Sequence, residues 1–139
     1  CTSRGLGDVY KRQKINNEDI NQTNLEEIAK KADILSIHLP LTAETSYLIN
    51  DNFLNLCKKD LKIINTSRGG IINEKHLERF LHENHNAFAA LDVFEEEPAF
   101  NSPLLNLDNF FATSHLGSMT EEGVIAMGLA AITGLDQNS

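Results

Sequence analysis

The chain has 139 residues, of which 41% are hydrophobic, and its 12 basic and 20 acidic side chains give a formal net charge of -8. That length suits one ordinary domain, and the hydrophobic fraction is sufficient for a packed core, which argues against a disordered chain. The acidic balance argues against a nucleic-acid partner or an anionic membrane, because both require clustered lysines and arginines.

The first thirteen residues, CTSRGLGDVYKRQ, lack the periodicity of the rest of the chain, and we interpret residues 1–13 as a non-native leader. Within them, Gly5-Leu6-Gly7 begins like the dinucleotide-binding fingerprint G-x-G-x-x-G. Tyr10 stands where the third glycine would be, and no strand precedes the pattern. We therefore do not interpret these glycines as a phosphate-binding turn.

From Thr23 onward, helical and strand patterns alternate. The capping box Thr23–Glu26 predicts a short helix that runs through Lys31. The apolar run at residues 33–37, which ends at His38-Leu39-Pro40, predicts the first buried strand because it is short and bounded by polar residues.

A polar loop leads to a short helix expected near residues 51–58. The apolar run at residues 61–65 predicts a second buried strand, and it ends in Thr66-Ser67-Arg68-Gly69-Gly70, where the glycines indicate a tight turn. Residues 73–84 are predicted to form an amphipathic helix, because apolar side chains recur there at helical spacing, namely Leu77, Phe80 and Leu81.

Two further apolar runs, at residues 87–91 and 109–113, predict the third and fourth strands, and a loop rather than a clear helix joins them. The capping box Ser118–Glu121 starts a long last helix. Short apolar strands that alternate with helices are typical of βαβ units. The predicted fold class is therefore α/β, with a doubly wound parallel sheet.

Charged and polar side chains follow the predicted strands. The carboxyl ends of parallel strands share one edge of a sheet, where doubly wound folds bind ligands. This edge is predicted to carry Arg68, Asp92, Glu97 and His115. An arginine can bind a carboxylate through two parallel hydrogen bonds, and a histidine backed by a carboxylate is a general acid and base near neutral pH. The residues alone thus predict an anion-binding acid–base site.

Structural interpretations of the same residues remain open at this point. Arg68 could pair with a nearby acid as a turn residue, His115 could be a hydrogen-bonded loop histidine, and the Glu95–Glu97 run could be a solvated loop. Three other histidines are interpreted as surface residues on or beside a helix, namely His76, His82 and His85.

The two cysteines, Cys1 and Cys57, are too few and too far apart for a disulfide framework or a metal site. We expect Cys57 to be a buried small hydrophobic residue. No run approaches the roughly 18 consecutive apolar residues of a membrane span, and no secretory signal is visible. The predicted location is therefore a reducing cytoplasm.

Three stretches carry a resemblance, namely Ile64–Gly70, Ala89–Pro98 and Ser114–Glu121. In this order and spacing they resemble motifs of the D-isomer-specific 2-hydroxyacid dehydrogenases, and the phosphoglycerate dehydrogenase branch is the most similar. The resemblance implies an oxidoreductase that transfers a hydride between NAD and a D-2-hydroxy acid or 2-oxo acid, with 3-phosphoglycerate as one such substrate.

The resemblance also implies a domain arrangement. Residues 14–117 would form the C-terminal half of a Rossmann-type NAD-binding domain, without its first βαβ unit and without the Gly-rich turn that binds the cofactor phosphates. Residues 118–139 would be the helix leading back to a substrate domain outside the chain. We therefore expect the chain by itself to be inactive, and the full-length protein to be a homodimer. The choice of NAD over NADP is taken from the family.

The resemblance assigns roles to individual residues. Arg68 would bind the substrate carboxylate and 2-oxo oxygen, His115 would transfer the proton, and Glu97 would pair with that histidine. The residues expected to line the cofactor are Leu39, Pro40, Thr66, Ser67, Arg68, Asp92, His115, Gly117 and Ser118, with Asp92 at the nicotinamide carboxamide. Gly117 and Ser118 stand where the family often has two glycines. No metal is implied.

Two alternatives share this fold. The first is an NAD(H)-sensing regulator without catalysis, like the corepressors of the family, because such proteins can keep the same three residues. The formate dehydrogenase branch fits less well, because it has a glutamine where Glu97 stands.

Overall fold

The structure, a computed structural model, describes residues 23–116 and 124–125. Its elements in chain order are α1 (Leu25–Lys31), β1 (Ile34–Ile37), α2 (Asp51–Leu54), β2 (Lys62–Asn65), α3 (Glu74–Glu83), β3 (Phe88–Leu91), a 3₁₀ helix (Pro103–Asn106) and β4 (Phe110–Ala112). The predicted leader lies outside the described residues, as do Gly117 and Ser118. Of the predicted last helix, Val124 and Ile125 are described, and both are helical.

The four strands form one parallel sheet in the order β1-β2-β3-β4. Each strand lies within one residue of the predicted bounds at both ends, which confirms the parallel α/β prediction. The last row of the register is Ile37, Asn65, Leu91 and Ala112. Because all strands are parallel, the segments that follow this row emerge at one edge of the sheet.

The two faces of the sheet differ in burial. Successive side chains of a strand point to opposite faces. On one face Leu35, Ile63 and Leu91 are buried and belong to the same core cluster as Leu77 and Leu81 of α3. The other face carries apolar side chains that are exposed in the described part of the chain, namely Ile34, Ile64, Phe88 and Phe111.

The observed boundaries of the first two helices differ from the predicted ones. Asn24, and not Thr23, is the N-cap of α1, because its side chain accepts the N–H of Glu27 at 2.8 Å. The hydroxyl of Thr23 instead donates to the carboxylate of Glu27. The predicted capping box is therefore wrong by one residue. The second helix is shorter than the predicted range 51–58, since α2 ends at Leu54.

Cys57 lies beyond α2, where its side chain is buried and its thiol donates to the carbonyl of Phe53 at 3.3 Å. This confirms the prediction that Cys57 is a buried hydrophobic residue. Burial raises the pKa of its thiol to about 12.

The amphipathic helix predicted at residues 73–84 is confirmed as α3, and its apolar stripe is buried. His82 and His85 are exposed, as predicted. The surface prediction for His76 is wrong. His76 is half-buried, and its Nδ1 accepts the backbone N–H of Asp51 at 3.2 Å, so it joins α3 to the start of α2.

Candidate functional site

A cleft of about 720 Å³ opens at the carboxyl edge of the sheet, beside β3 and β4. Its polar lining includes Asp92, Glu97 and His115. Its apolar wall is formed by Phe94, Pro98, Ala99, Phe100, Leu105, Ala112 and Leu116. The cleft therefore combines an acid–base pair with a surface that suits a flat, apolar group.

Glu97 and His115 are paired in this cleft. The Nδ1 atom of His115 lies 2.9 Å from Oε2 of Glu97. Oε1 of the same carboxylate accepts the backbone N–H of Phe94 at 3.1 Å. The hydrogen bond with His115, and then that with Phe94, lowers the pKa of Glu97 below its usual range.

The pairing determines which ring nitrogen of His115 is free to react. A carboxylate whose pKa is lowered is ionised near neutral pH, and it can then only accept hydrogen bonds. Nδ1 of His115 therefore carries a proton and donates a hydrogen bond to Glu97. Nε2 remains as the ring nitrogen that can exchange a proton with a substrate.

Asp92 holds the loop that carries His115. Its side chain is buried, and Oδ1 accepts the backbone N–H of Leu116 at 2.7 Å and the hydroxyl of Thr113. These bonds lie on both sides of His115, whose backbone adopts the left-handed conformation with φ of 56°. Such a conformation costs about 1 kcal/mol or more for a non-glycine residue. Asp92 therefore offsets the strain at the histidine.

The turn that carries Arg68 is shaped by Asn65, the last residue of β2. Oδ1 of Asn65 accepts the backbone N–H of Ser67 at 3.0 Å, and its Nδ2 donates to the carbonyl of Arg68 at 3.0 Å. Asn65 itself is buried. Asn65 was not predicted as a site residue, although a polar side chain that ends an apolar strand directly before a glycine turn is the signal that would have identified it.

Arg68 lies at the same edge of the sheet but in a neighbouring pocket of about 420 Å³, together with Tyr47 and Glu95. Phe94 lines both this pocket and the cleft. The guanidinium is exposed, and its Nη1 donates to the carbonyl of Ser67 at 2.6 Å. The structure thus brings Glu97 and His115 into contact and places Arg68 in the adjoining pocket.

The remaining residues predicted to line a cofactor differ in their surroundings. Leu39 follows β1 and packs in the hydrophobic core, whereas Pro40 is exposed and its carbonyl accepts the hydroxyl of Thr45 at 2.7 Å. Thr66 is exposed, and Ser67 is half-buried and bonded to Asn65. A cofactor at this edge would therefore meet the backbone of Leu39 rather than its side chain.

Among residues 23–116 and 124–125, no three or more His, Cys, Asp or Glu side chains are grouped as a metal site. In the same part of the chain, no helix has the length and apolar character that a membrane span requires.

Comparison with known proteins assigns the chain to a family. The model of the D-isomer specific 2-hydroxyacid dehydrogenase NAD binding domain matches residues 6–117. A D-3-phosphoglycerate dehydrogenase of Methanocaldococcus jannaschii is 46% identical over 105 residues, which are 76% of this chain and 20% of that protein. A glyoxylate reductase of Pyrococcus furiosus is 45% identical over 103 residues, covering 74% of this chain and 31% of that protein.

A solved structure is also similar. A D-isomer specific 2-hydroxyacid dehydrogenase from Xanthobacter autotrophicus Py2, crystallised with NADPH and MES, matches with a TM-score of 0.63 and 40% identity. The match covers 66% of this chain and 30% of that protein. The chain thus spans between about a fifth and a third of the length of these three proteins.

Proposed function

Because the chain belongs to the D-isomer-specific 2-hydroxyacid dehydrogenase family and matches its NAD-binding domain, we propose that it supplies the acid–base residues of an oxidoreductase. The proposed reaction transfers a hydride between NAD and a D-2-hydroxy acid or its 2-oxo acid. Residues 14–117 would form the C-terminal half of the NAD-binding domain, and residues 118–139 would lead back to a substrate domain. The complete protein would be a cytoplasmic homodimer.

The observation that carries the proposal is the bond between His115 and Glu97. In the direction of reduction, Nε2 of His115 gives a proton to the oxygen on C2 of the 2-oxo acid. In the direction of oxidation, the same nitrogen takes that proton back. The ionised Glu97 stabilises the imidazolium and keeps the ring oriented through Nδ1. The carboxylate 2.9 Å from the ring supports both proposed roles.

Arg68 would bind the substrate carboxylate. A guanidinium donates two parallel N–H bonds to a carboxylate, and such a pair fixes orientation as well as position. Its present bond to the Ser67 carbonyl leaves the other donors of an exposed side chain for a substrate. A small 2-oxo acid between the two pockets would then have its carboxylate at Arg68 and its C2 oxygen at His115, with Phe94 between them.

NAD, when bound, accepts or supplies the hydride. The described residues fit its reacting end, because the cleft beside His115 has an apolar wall. They do not fit its diphosphate. The glycines of the described part are Gly69 and Gly70, in the turn after β2. A Cβ on Gly69 would lie 1.7 Å from the carbonyl oxygen of Phe94, so protein atoms already fill that turn. The phosphates would therefore be held elsewhere.

The substrate class is the 2-oxo or 2-hydroxy acids, and 3-phosphoglycerate is the first acid to test because a D-3-phosphoglycerate dehydrogenase is among the similar proteins. In a chimera, the 105 residues of the M. jannaschii protein that match this chain would be replaced by their counterparts from this chain, and the rest of that enzyme would be kept. NAD-dependent oxidation of D-3-phosphoglycerate would then be measured. We expect the chimera to be active.

Variants of the chimera test the assigned residues. His115→Ala and Arg68→Ala should each lower kcat/KM by about 10²-fold or more. The matched controls are His85→Ala and Arg79→Ala. His85 is exposed on the loop after α3, and Arg79 of α3 pairs with Asp51 at the start of α2. Both controls should keep normal activity.

The outcome also separates the enzyme from the regulator. A folded chimera that binds NADH but shows no turnover would favour a nucleotide-sensing regulator and contradict the proposed function. Normal turnover after His115→Ala would contradict the assignment of the proton-transfer residue.

A further inference from the structure

Glu95, two residues before Glu97, connects the segment after β3 to α3. Its Oε1 accepts the backbone N–H of Glu74, the first residue of α3, at 2.8 Å. The backbone N–H of Glu95 in turn donates to Oε1 of Glu74 at 2.5 Å. A reciprocal pair of hydrogen bonds therefore joins two segments that are 21 residues apart.

The same carboxylate also contacts the loop after β1. Oε2 of Glu95 accepts the hydroxyl of Tyr47 at 3.2 Å. Tyr47 has a left-handed backbone with φ of 51°, and its N–H donates to the carbonyl of Gly70 at 2.8 Å. Glu95 thus lies where the segments following β1, β2 and β3 meet.

This arrangement brings two carboxylates together, which is unfavourable unless other contacts compensate. Burial chiefly raises the pKa of Glu74, and the charge of Glu95 raises it further, while the N–H of Glu95 lowers it. The compensation comes from the start of α3, where unpaired N–H groups and the helix dipole favour an anion. Asn73 caps the N–H of His76 there, and Glu95 caps that of Glu74.

The residue before Glu95 contacts both parts of the candidate site. The carbonyl of Phe94 packs so closely on Gly69, next to Arg68, that no Cβ would fit between them. The N–H of Phe94 donates to Glu97 at 3.1 Å. A shift of Glu95 would therefore displace a hydrogen-bond donor of Glu97 and the contact with the Arg68 turn.

We infer that Glu95 is a positioning residue, which holds the Glu97 carboxylate at His115 and holds that pair in register with Arg68. The inference rests on the proposed function, because the position of the Glu97–His115 pair matters for the proton transfer that the pair is proposed to carry out. Glu95 acts through Phe94 and Glu97 and does not itself contact the imidazole.

The test compares Glu95→Ala and Glu95→Gln with Glu96→Ala in the 139-residue chain. Glu96 is exposed and forms no hydrogen bond or ion pair within the described residues, so its loss gives the same charge change one position away. NMR would follow the titration of the Glu97 carboxyl carbon and the proximity of its side chain to the His115 ring. Circular dichroism would establish that each variant is folded.

Glu95→Ala should raise the pKa of Glu97 towards its ordinary value of 4.5 and weaken its contact with His115. Glu95→Gln should have a smaller effect, because its amide oxygen can still accept the N–H of Glu74. Glu96→Ala should leave both measurements unchanged. In the chimera, Glu95→Ala should lower kcat by about tenfold, and Glu95→Gln should restore part of it.

An unchanged Glu97 titration in folded Glu95→Ala would overturn the inference, and so would an equal change in Glu96→Ala. If Glu95→Ala does not fold, Glu95→Gln decides by the same criterion. A chimera that is inactive although Glu97 titrates and responds to Glu95 as expected would contradict the proposed function while supporting the positioning role.

Discussion

The carboxylate of Asp92 accepts the backbone N–H of Leu116 at 2.7 Å, so a buried acid at the end of β3 fixes the chain directly after His115. The family resemblance assigns Asp92 to the nicotinamide carboxamide. The hydrogen bonds of the structure indicate another role, in which Asp92 holds the strained histidine in place. The two roles have different kinetic consequences.

Asp92→Ala in the chimera should lower kcat by about tenfold to a hundredfold, because the His115 loop loses the acceptor for Leu116 and Thr113. Steady-state rates at varied NAD would separate the two roles. If Asp92 acts through the loop, kcat falls and the KM for NAD stays near its original value. A large rise in that KM with normal kcat would instead support a cofactor contact alone.

Glu97→Gln should lower kcat/KM for reduction of the 2-oxo acid and change its dependence on acid pH. The carboxylate loses its charge as the medium is acidified, whereas the amide does not titrate, so the acid-side decline in kcat/KM that is due to Glu97 should be absent in the variant. The pKa of Glu97 is depressed, so in the original protein the pair is intact above that value and is lost only as pH falls through it. Coinciding pH profiles for the two proteins would contradict the assigned role of Glu97.

The strands could be predicted closely because each is a short apolar run with polar residues at both ends. The start of α1 was missed by one residue because Thr23 and its neighbour Asn24 are both good capping residues, and local sequence does not choose between them. The choice is made by the helix, which places Glu27 within reach of Asn24.

The bonds that shape the site were harder to predict, since they join residues distant in sequence. Asp92 and Leu116 are 24 positions apart, and Glu74 and Glu95 are 21 apart. Such pairs depend on which strands are neighbours and on the exit angle of each loop. The sequence predicted that Arg68, Asp92, Glu97 and His115 reach one edge of the sheet, but the pairing of these long-range partners followed from the tertiary structure. His76 was misjudged for the same reason, because its partner Asp51 belongs to another helix.

Cys57 should be unreactive in the folded chain. Burial raises its pKa to about 12 from the ordinary value of 9.0, so the thiol stays protonated, and only the thiolate is an effective nucleophile. In a Cys1→Ser variant, a disulfide reagent at mildly alkaline pH should label no thiol before unfolding and one thiol after it. Fast labelling of the native variant would contradict the burial of Cys57.

The raised pKa of Cys57 also predicts how the free energy of unfolding changes at alkaline pH. Folding raises the pKa of Cys57. The stability that the protonated thiol contributes is therefore present below pH 9.0 and declines as the pH rises towards about 12. Over that interval the unfolded thiol ionises first, and the free energy of unfolding should fall. Cys57→Ala should reduce this decline, which chemical denaturation at several pH values would measure.

Gly69→Ala should destabilise the chain more than Gly70→Ala does. A Cβ on Gly69 would lie 1.7 Å from the carbonyl oxygen of Phe94, which is backbone and cannot rotate away. Relieving that overlap should cost about 3 kcal/mol, and it should move the segment that carries Glu97. At Gly70 the added Cβ would meet Leu41 at an ordinary 3.6 Å, and the cost of about 1 kcal/mol comes from its φ of 76°.

Chemical denaturation of the two glycine variants gives the difference in unfolding free energy. Equal losses would contradict the predicted overlap at Gly69, because of these two glycines only Gly70 has a left-handed φ. A larger loss for Gly69→Ala, together with a weakened contact between Glu97 and His115 in NMR, would show that the close approach of Gly69 and Phe94 sets the distance between the two pockets. Gly69 would then be required by the site rather than by the turn.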